Sequence, residues 1–217
     1  MNELIVFGGP SIIGIPNPIL ERITLHPPVK RGDLELLLET KPRKVLIIDG
    51  LFGNSLSVTP RECCQLLQAG WMVCGCSSIG ALRAAELWSM GMIGFGKIYE
   101  MLRTGIIEDD TEVCVPYNCE KLIEVGISFV HLRSVINGMK SLTNDERTSI
   151  LHRSSEIYWR DRTFHTLMEN ITECQISDSN FKELARRLKE PKHHPKIQDA
   201  NHALNVLLAD TWPVPVD

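Results

Sequence analysis

Short apolar runs recur through the first half of the chain, each closed by glycine or a small polar residue. Leu4-Ile5-Val6-Phe7 runs into Gly8-Gly9-Pro10-Ser11, Lys44-Val45-Leu46-Ile47-Ile48 into Asp49-Gly50, and Trp71 to Cys76 into Ser77-Ser78. Unbroken apolar runs of this length predict strands covered on both faces, the signature of a parallel sheet. Met1 to Phe7 thus reads as the first strand. Between the strands the spacing turns helical. Pro60 to Ala69 carries Cys63, Leu66 and Leu67 on one side, with Pro60 suited to a first turn. Leu34 to Leu38 reads as a short helix capped by Asp33, and Ser78 to Met90 as the helix after the third strand. Ile12 to Gly32 holds Pro16, Pro18, Pro27 and Pro28 and is expected to be extended or turning.

Further along, Lys97 to Arg103 is helix-like and Val113-Cys114-Val115 reads as a short strand. From about Leu122 the pattern is helical throughout: Ile127 to Met139, Glu146 to Met168, Phe181 to Leu188 and Ile197 to Leu208, with Lys189 to Lys196 as an exposed link. The expected architecture is α/β: a parallel sheet flanked by helices over residues 1–120, followed by a helical C-terminal region over 121–217.

Composition narrows the classes. Over 217 residues, 43% are hydrophobic and 23% charged, the balance of an ordinary globular protein. A net charge of -4 speaks against a general electrostatic grip on nucleic acid. No apolar run is long enough to span a bilayer, and the N-terminus lacks the charged lead-in of a signal peptide, so a cytoplasmic location is expected. The seven cysteines form no CxxC pair and are expected to be reduced thiols. No metal site is expected, and His193-His194 reads as part of a solvated loop.

Candidate chemistry gathers where ligands collect in such sheets, beyond the strands' carboxyl ends, and there the polar residues are Ser11, Asp49 and Ser78. Ser78 follows a strand and opens a helix whose N-terminal amides and dipole favour an anion or a developing oxyanion. Gly75-Cys76-Ser77-Ser78-Ile79-Gly80 is one residue longer than a G-x-S-x-G nucleophile elbow, so Ser78 reads either as a nucleophile or as a helix cap. His26 and His131 are the nearest candidate bases. Arg83 and Glu86, the only charges between Ser78 and Met90, share one helix face. Either they bridge each other, or Arg83 turns to the mouth and binds a carboxylate-like group; both can hold. Asp49 orients a base or substrate, or forms a turn. Asp109, Asp110 and Glu112 form either a cation site or a solvated acidic turn. Gly8-Gly9-Pro10-Ser11 has neither a Walker nor a GxGxxG spacing, which leaves backbone donors for an oxyanion as its candidate role. Cys76 is a candidate sulfur carrier or, more simply, a core thiol.

Val6 to Ser11, Pro27-Pro28 with Gly32-Asp33-Leu34, Ile47 to Phe52, and Ser78 to Leu87 with Gly91-Met92 and Gly94-Phe95-Gly96 together resemble the TfuA-like family, as does the acidic turn ending at Glu112-Val113. The resemblance covers roughly the first 120 residues in order. It implies a role beside a YcaO enzyme, which activates a peptide amide with ATP, in installing a backbone thioamide in a peptide or protein. It further implies hydrolysis of a thiocarboxylated, ThiS-like sulfur-carrier protein to supply sulfide. The alternative, which the charged helical C-terminus suits, is a non-catalytic adaptor that docks carrier and peptide to the YcaO enzyme. Carried over by motif, Ser78, Arg83 and Asp49 become the catalytic candidates, and Gly8, Gly9, Ser11, Ser77 and Glu86 the substrate-binding ones, with no cofactor. The chain departs from the family pattern with Pro60-Arg61 where a histidine often precedes the residue aligned with Glu62, with Ser77 for alanine and with Ile79 for methionine.

Overall fold

A computed structural model describes residues 4–52, 56–118 and 120–209. It divides the chain into two compact units, one formed by Met1–Glu108 with Lys196–Asp217, the other by Asp109–Pro195. The first unit holds β1 (Leu4–Phe7), α1 (Asn17–Leu20), β2 (Thr24–His26), β3 (Lys44–Ile47), α2 (Pro60–Gln68), β4 (Met72–Cys76), α3 (Ile79–Leu87), β5 (Ile93–Phe95) and α4 (Gly96–Arg103). The second holds the two-residue strands β6 (Tyr117–Asn118) and β7 (Ile123–Glu124), then α5 (Phe129–Asn137), α6 (Asn144–Ser155), α7 (Phe164–Thr172) and α8 (Asp178–Arg187). The last helix, α9 (Pro195–Leu208), returns to the first unit.

The five strands of the first unit are parallel in the order β2-β1-β3-β4-β5. Side chains alternate across a strand, and here both faces are apolar. Ile5, Phe7, Val45, Ile47 and Val73 pack with Cys63 and Leu66 of α2 and Ile79 and Leu82 of α3. The opposite residues Leu4, Val6, Leu46, Cys74 and Cys76 pack against Ala200, Ala203, Leu204 and Leu207 of α9 and Ile15, Ile19 and Leu20 around α1. The C-terminal helix therefore supplies the second cover that a parallel sheet needs. The second unit has its own core, in which Leu132, Ile136, Ile150, Leu167, Ile171 and Leu184 are fully buried.

The α/β sheet and the helical C-terminal part are as the sequence predicts. Several local elements differ. The units part after Glu108 and again before Lys196, instead of once at residue 120. β2 and β5 arise in segments too short and too rich in proline or glycine to announce strands. Asp33 caps no helix; its carboxylate accepts the Lys30 amide at 2.9 Å in a turn, and Glu35–Glu39 is a 3-10 helix. Val113 to Val115 is irregular, because Asp109 accepts the Thr111 amide at 2.8 Å and starts a 3-10 turn just before it. The Glu146 to Met168 periodicity splits where Thr163 caps α7, its hydroxyl accepting the Thr166 amide. Lys196 is not part of an exposed link but one of the largest fully buried side chains.

Candidate functional site

In a doubly wound sheet of order 2-1-3-4-5, the chain reverses its winding between β1 and β3, and the loops leaving those strands splay apart to form a crevice. The register aligns Phe7 with Ile47 and Ile47 with Gly75, so the β1, β3 and β4 loops open at one edge. Asp49 bridges the switch. One carboxylate oxygen accepts the amides of Gly9 and Ser11, both at 2.9 Å, and the other accepts the Ser11 hydroxyl at 2.6 Å. The glycine loop is held by these bonds, and a Cβ on Gly9 would sit 2.6 Å from Pro28. Burial is the main influence on Asp49 and pushes its carboxyl above the ordinary range; the Ser11 hydroxyl, the Lys196 ammonium and the two amides pull it back. Gly8, Gly9, Ser11 and Asp49 are thus brought together as the sequence expects.

The β4–α3 junction is a tight elbow. Ser77 has φ 65, a left-handed backbone that a side chain disfavours. Its hydroxyl donates to the Lys196 carbonyl at 2.7 Å and is fully buried, so Ser77 acts as a tether and not as a surface for substrate. Ser78 occupies the N-cap position of α3, yet its hydroxyl makes no capping bond. The cap reading therefore does not hold for this side chain. The Ile48 carbonyl receives the Ser78 amide at 3.3 Å and the Gly80 amide at 3.4 Å, so these two amides are already engaged and an anion here would rely on the rest of the α3 terminus and its dipole. Cys76 is fully buried, and burial drives its thiol well above the ordinary value. It stays protonated, which argues against a thiolate that carries sulfur.

Arg83 is positioned away from this cluster's hydrogen bonds. Its Nε donates to the Val58 carbonyl at 2.9 Å, and Nη1 pairs with Glu86 at 2.6 Å. The bridging reading of Arg83 and Glu86 is the one observed. Glu62 likewise has a structural role, closing a capping box with Thr59 at the start of α2 and accepting the Gly32 amide at 2.6 Å. In the acidic turn, Glu112 forms a two-pronged pair with Arg133 at 2.8 and 3.1 Å. Of the candidate bases, His26 stacks on Phe7 with ring centres 5.2 Å apart. His131 lies in the second unit with its ring 4.1 Å from that of His194, whose Nε2 is 3.0 Å from a Glu124 oxygen. His194 is therefore packed, not a solvated loop residue.

Sequence reasoning missed two residues of α9. Lys196 and Asp199 are three apart and so share a helix face. Lys196 is 1% exposed, and its charge reaches Asp49. Asp199 accepts the Lys97 and Ile98 amides at 3.0 and 2.9 Å, filling the N-terminus of α4. Gly96, at φ 88, makes room: a Cβ there would lie 2.2 Å from the Asp199 carboxyl carbon. The proline-histidine-rich stretch before Lys196 masked the signal, which was a lone Lys-x-x-Asp on the otherwise apolar face of a helix.

Burial raises the Asp199 carboxyl from 3.8 to about 6, its two amide donors opposing. The folded protein then holds this proton more tightly than the unfolded chain. The associated stability is complete below about pH 4 and is lost as pH rises through about 6, amounting to roughly 3 kcal/mol. Urea melts of wild type and Asp199→Asn between pH 4 and 7 are expected to show the wild type losing this margin relative to the variant. A constant difference across that window removes the assignment.

Strand order and a polar cluster bridging the switch define a doubly wound α/β protein whose candidate site lies at the carboxyl edge of the sheet. A model of the TfuA-like protein family matches residues 49–163, just over half of the chain, and the chain belongs to that family. Membership ties it to the YcaO thioamidation system. Gly8, Gly9, Ser11, Lys196 and Asp199 lie outside the matched segment. No curated protein matches the chain. Among the described residues, no helix is long and apolar enough to cross a membrane.

Proposed function

We propose that this protein hydrolyses the C-terminal thiocarboxylate of a ThiS-type sulfur carrier and so supplies sulfide to a YcaO enzyme that forms a peptide backbone thioamide. The observation that carries this reading is Ser78: a hydroxyl that makes no capping bond at a strand-turn-helix elbow, two residues after β4 and next to the switch bridged by Asp49. Ser78 Oγ attacks the thiocarboxylate carbon, and the oxyanion that forms faces the positive end of α3. One well-aimed donor contributes on the order of 3 kcal/mol to such a step. The C–S bond breaks with the serine proton passing to sulfur, so hydrosulfide leaves and an acyl-serine remains. Water then cleaves the ester, returning the serine and releasing the carrier carboxylate. Asp49 holds the Gly8–Ser11 loop against the crevice and is a positioning group here, since three donors already occupy its oxygens.

Incubation of the purified protein with thiocarboxylated carrier is expected to release sulfide, and Ser78→Ala to lower that rate on the order of 10³-fold or more. Turnover unaffected by Ser78→Ala excludes the serine from the reaction. A second reading, a non-catalytic adaptor for carrier and peptide, is favoured by Arg61 standing where the family often carries a histidine and by the engagement of Arg83 with Val58 and Glu86. An adaptor raises thioamide yield in the YcaO reaction yet releases no sulfide by itself.

A further inference from the structure

The first turn of α9 is hydrogen-bonded to two neighbouring junctions at the sheet's carboxyl edge. The Lys196 carbonyl accepts the Ser77 hydroxyl at 2.7 Å, in the elbow between β4 and α3. The Asp199 carboxylate accepts the Lys97 and Ile98 amides at 3.0 and 2.9 Å, where β5 gives way to α4. Cys76 pairs with Phe95 in the sheet, so the two junctions leave it side by side. Three positions separate Lys196 from Asp199, less than one helical turn, and a rigid piece of backbone therefore joins the two attachments. Each junction has a backbone that fits the contact. Ser77 is left-handed at φ 65, a conformation that persists in a residue with a side chain only where the surroundings fix it. Gly96, at φ 88, admits the Asp199 carboxylate because it has no Cβ, which would stand 2.2 Å from the carboxyl carbon.

We propose that Asp199 is a positioning residue for Ser78: it anchors the first turn of α9 on the β5–α4 junction, and that turn, through the Lys196 carbonyl, holds the Ser77 elbow in the path that presents the neighbouring hydroxyl. The hydrogen bonds of Asp199 go to α4, so its hold on the elbow passes through α9. The proposal deepens the hydrolase reading, and only its consequence for catalysis rests on that reading.

Amide hydrogen exchange in the full chain tests it. Asp199→Ala frees the Lys97 and Ile98 amides whatever the wider role of the carboxylate. The decisive amides are those of Ser78 and Gly80, which donate to the Ile48 carbonyl at 3.3 and 3.4 Å. Their exchange is expected to quicken about tenfold or more in Asp199→Ala. Ser77→Ala, which cuts the other attachment, is expected to quicken the same two amides while Lys97 and Ile98 stay protected. The double variant Ser77→Ala/Asp199→Ala is expected to match Ser77→Ala at the elbow, because Asp199 reaches the elbow through that bond. Wild-type exchange at Ser78 and Gly80 in Asp199→Ala overturns the proposal, as do effects of the two substitutions that multiply. If Asp199→Ala does not fold, Asp199→Asn keeps the side-chain shape and one acceptor oxygen, and the same amides decide. In the sulfide assay, Asp199→Ala is expected to lower kcat on the order of tenfold or more with KM little changed, since only the aim of Ser78 is lost. A wild type that releases no sulfide removes the hydrolase reading, while the elbow amides still decide the part played by Asp199.

Discussion

Gly80→Ala is expected to prevent stable folding of the first unit. A Cβ at this position would stand 1.8 Å from the Ile47 carbonyl oxygen and 2.6 Å from its carbon, both backbone atoms of a central strand. No rotamer relieves such a clash, because the obstacle is the sheet itself. A Cβ on Gly75 would likewise meet backbone, 2.0 Å from the Gly80 carbonyl oxygen. The two glycines let the first turn of α3 lie directly on β3 and β4, and that approach carries Ser78 to the sheet edge. Relieving the overlap requires moving the helix off a core in which Ile79 and Ala84 are buried. The expected cost exceeds about 4 kcal/mol, the range reserved for disruption of backbone packing or buried networks. Urea denaturation and soluble yield measure it; a folded Gly80→Ala with a wild-type midpoint shows that α3 can shift without penalty.

The second large effect falls on Asp49. Asp49→Ala removes the buried acceptor of two amides and one hydroxyl. Each buried donor left unsatisfied costs about 1–3 kcal/mol, so the loss of all three bonds is expected to cost about 3–5 kcal/mol. Ser11→Ala, which deletes only the hydroxyl's bond, is expected to cost about 2 kcal/mol, the range for a hydrogen bond to a charged group. The comparison is informative because both changes touch the same carboxylate. If chemical denaturation finds Asp49→Ala no more harmful than Ser11→Ala, the carboxylate is not the hub of the switch.

The contrast between Asp49 and Arg83 shows where sequence reading stops. Asp49 ends an apolar run, and position along a strand is a property of local order, so its arrival at the carboxyl edge was legible. The fate of Arg83 depended on Val58, 25 positions away, whose carbonyl takes the guanidinium. Nothing in the spacing around Arg83 reports that carbonyl. Ser77 and Ser78 show the same limit at closer range. Both stand at the predicted turn, but only the backbone path, with Ser77 at positive φ, determines which hydroxyl is buried against α9 and which heads α3.

The apolar runs determined the parallel α/β sheet, because strands without a polar face must be covered twice, and the helical spacing determined the mainly helical stretch that follows. The residues at the strand ends determined that polar groups would gather there. Tertiary structure alone decided that α9 returns to the first unit, that Lys196 and Asp199 join the carboxyl edge, and that Arg83 does not. Periodicity records which face of a helix is apolar; it does not record which distant surface that face will meet. The long-range partner, chosen by the geometry of closing the core, settles which charges are brought into the site.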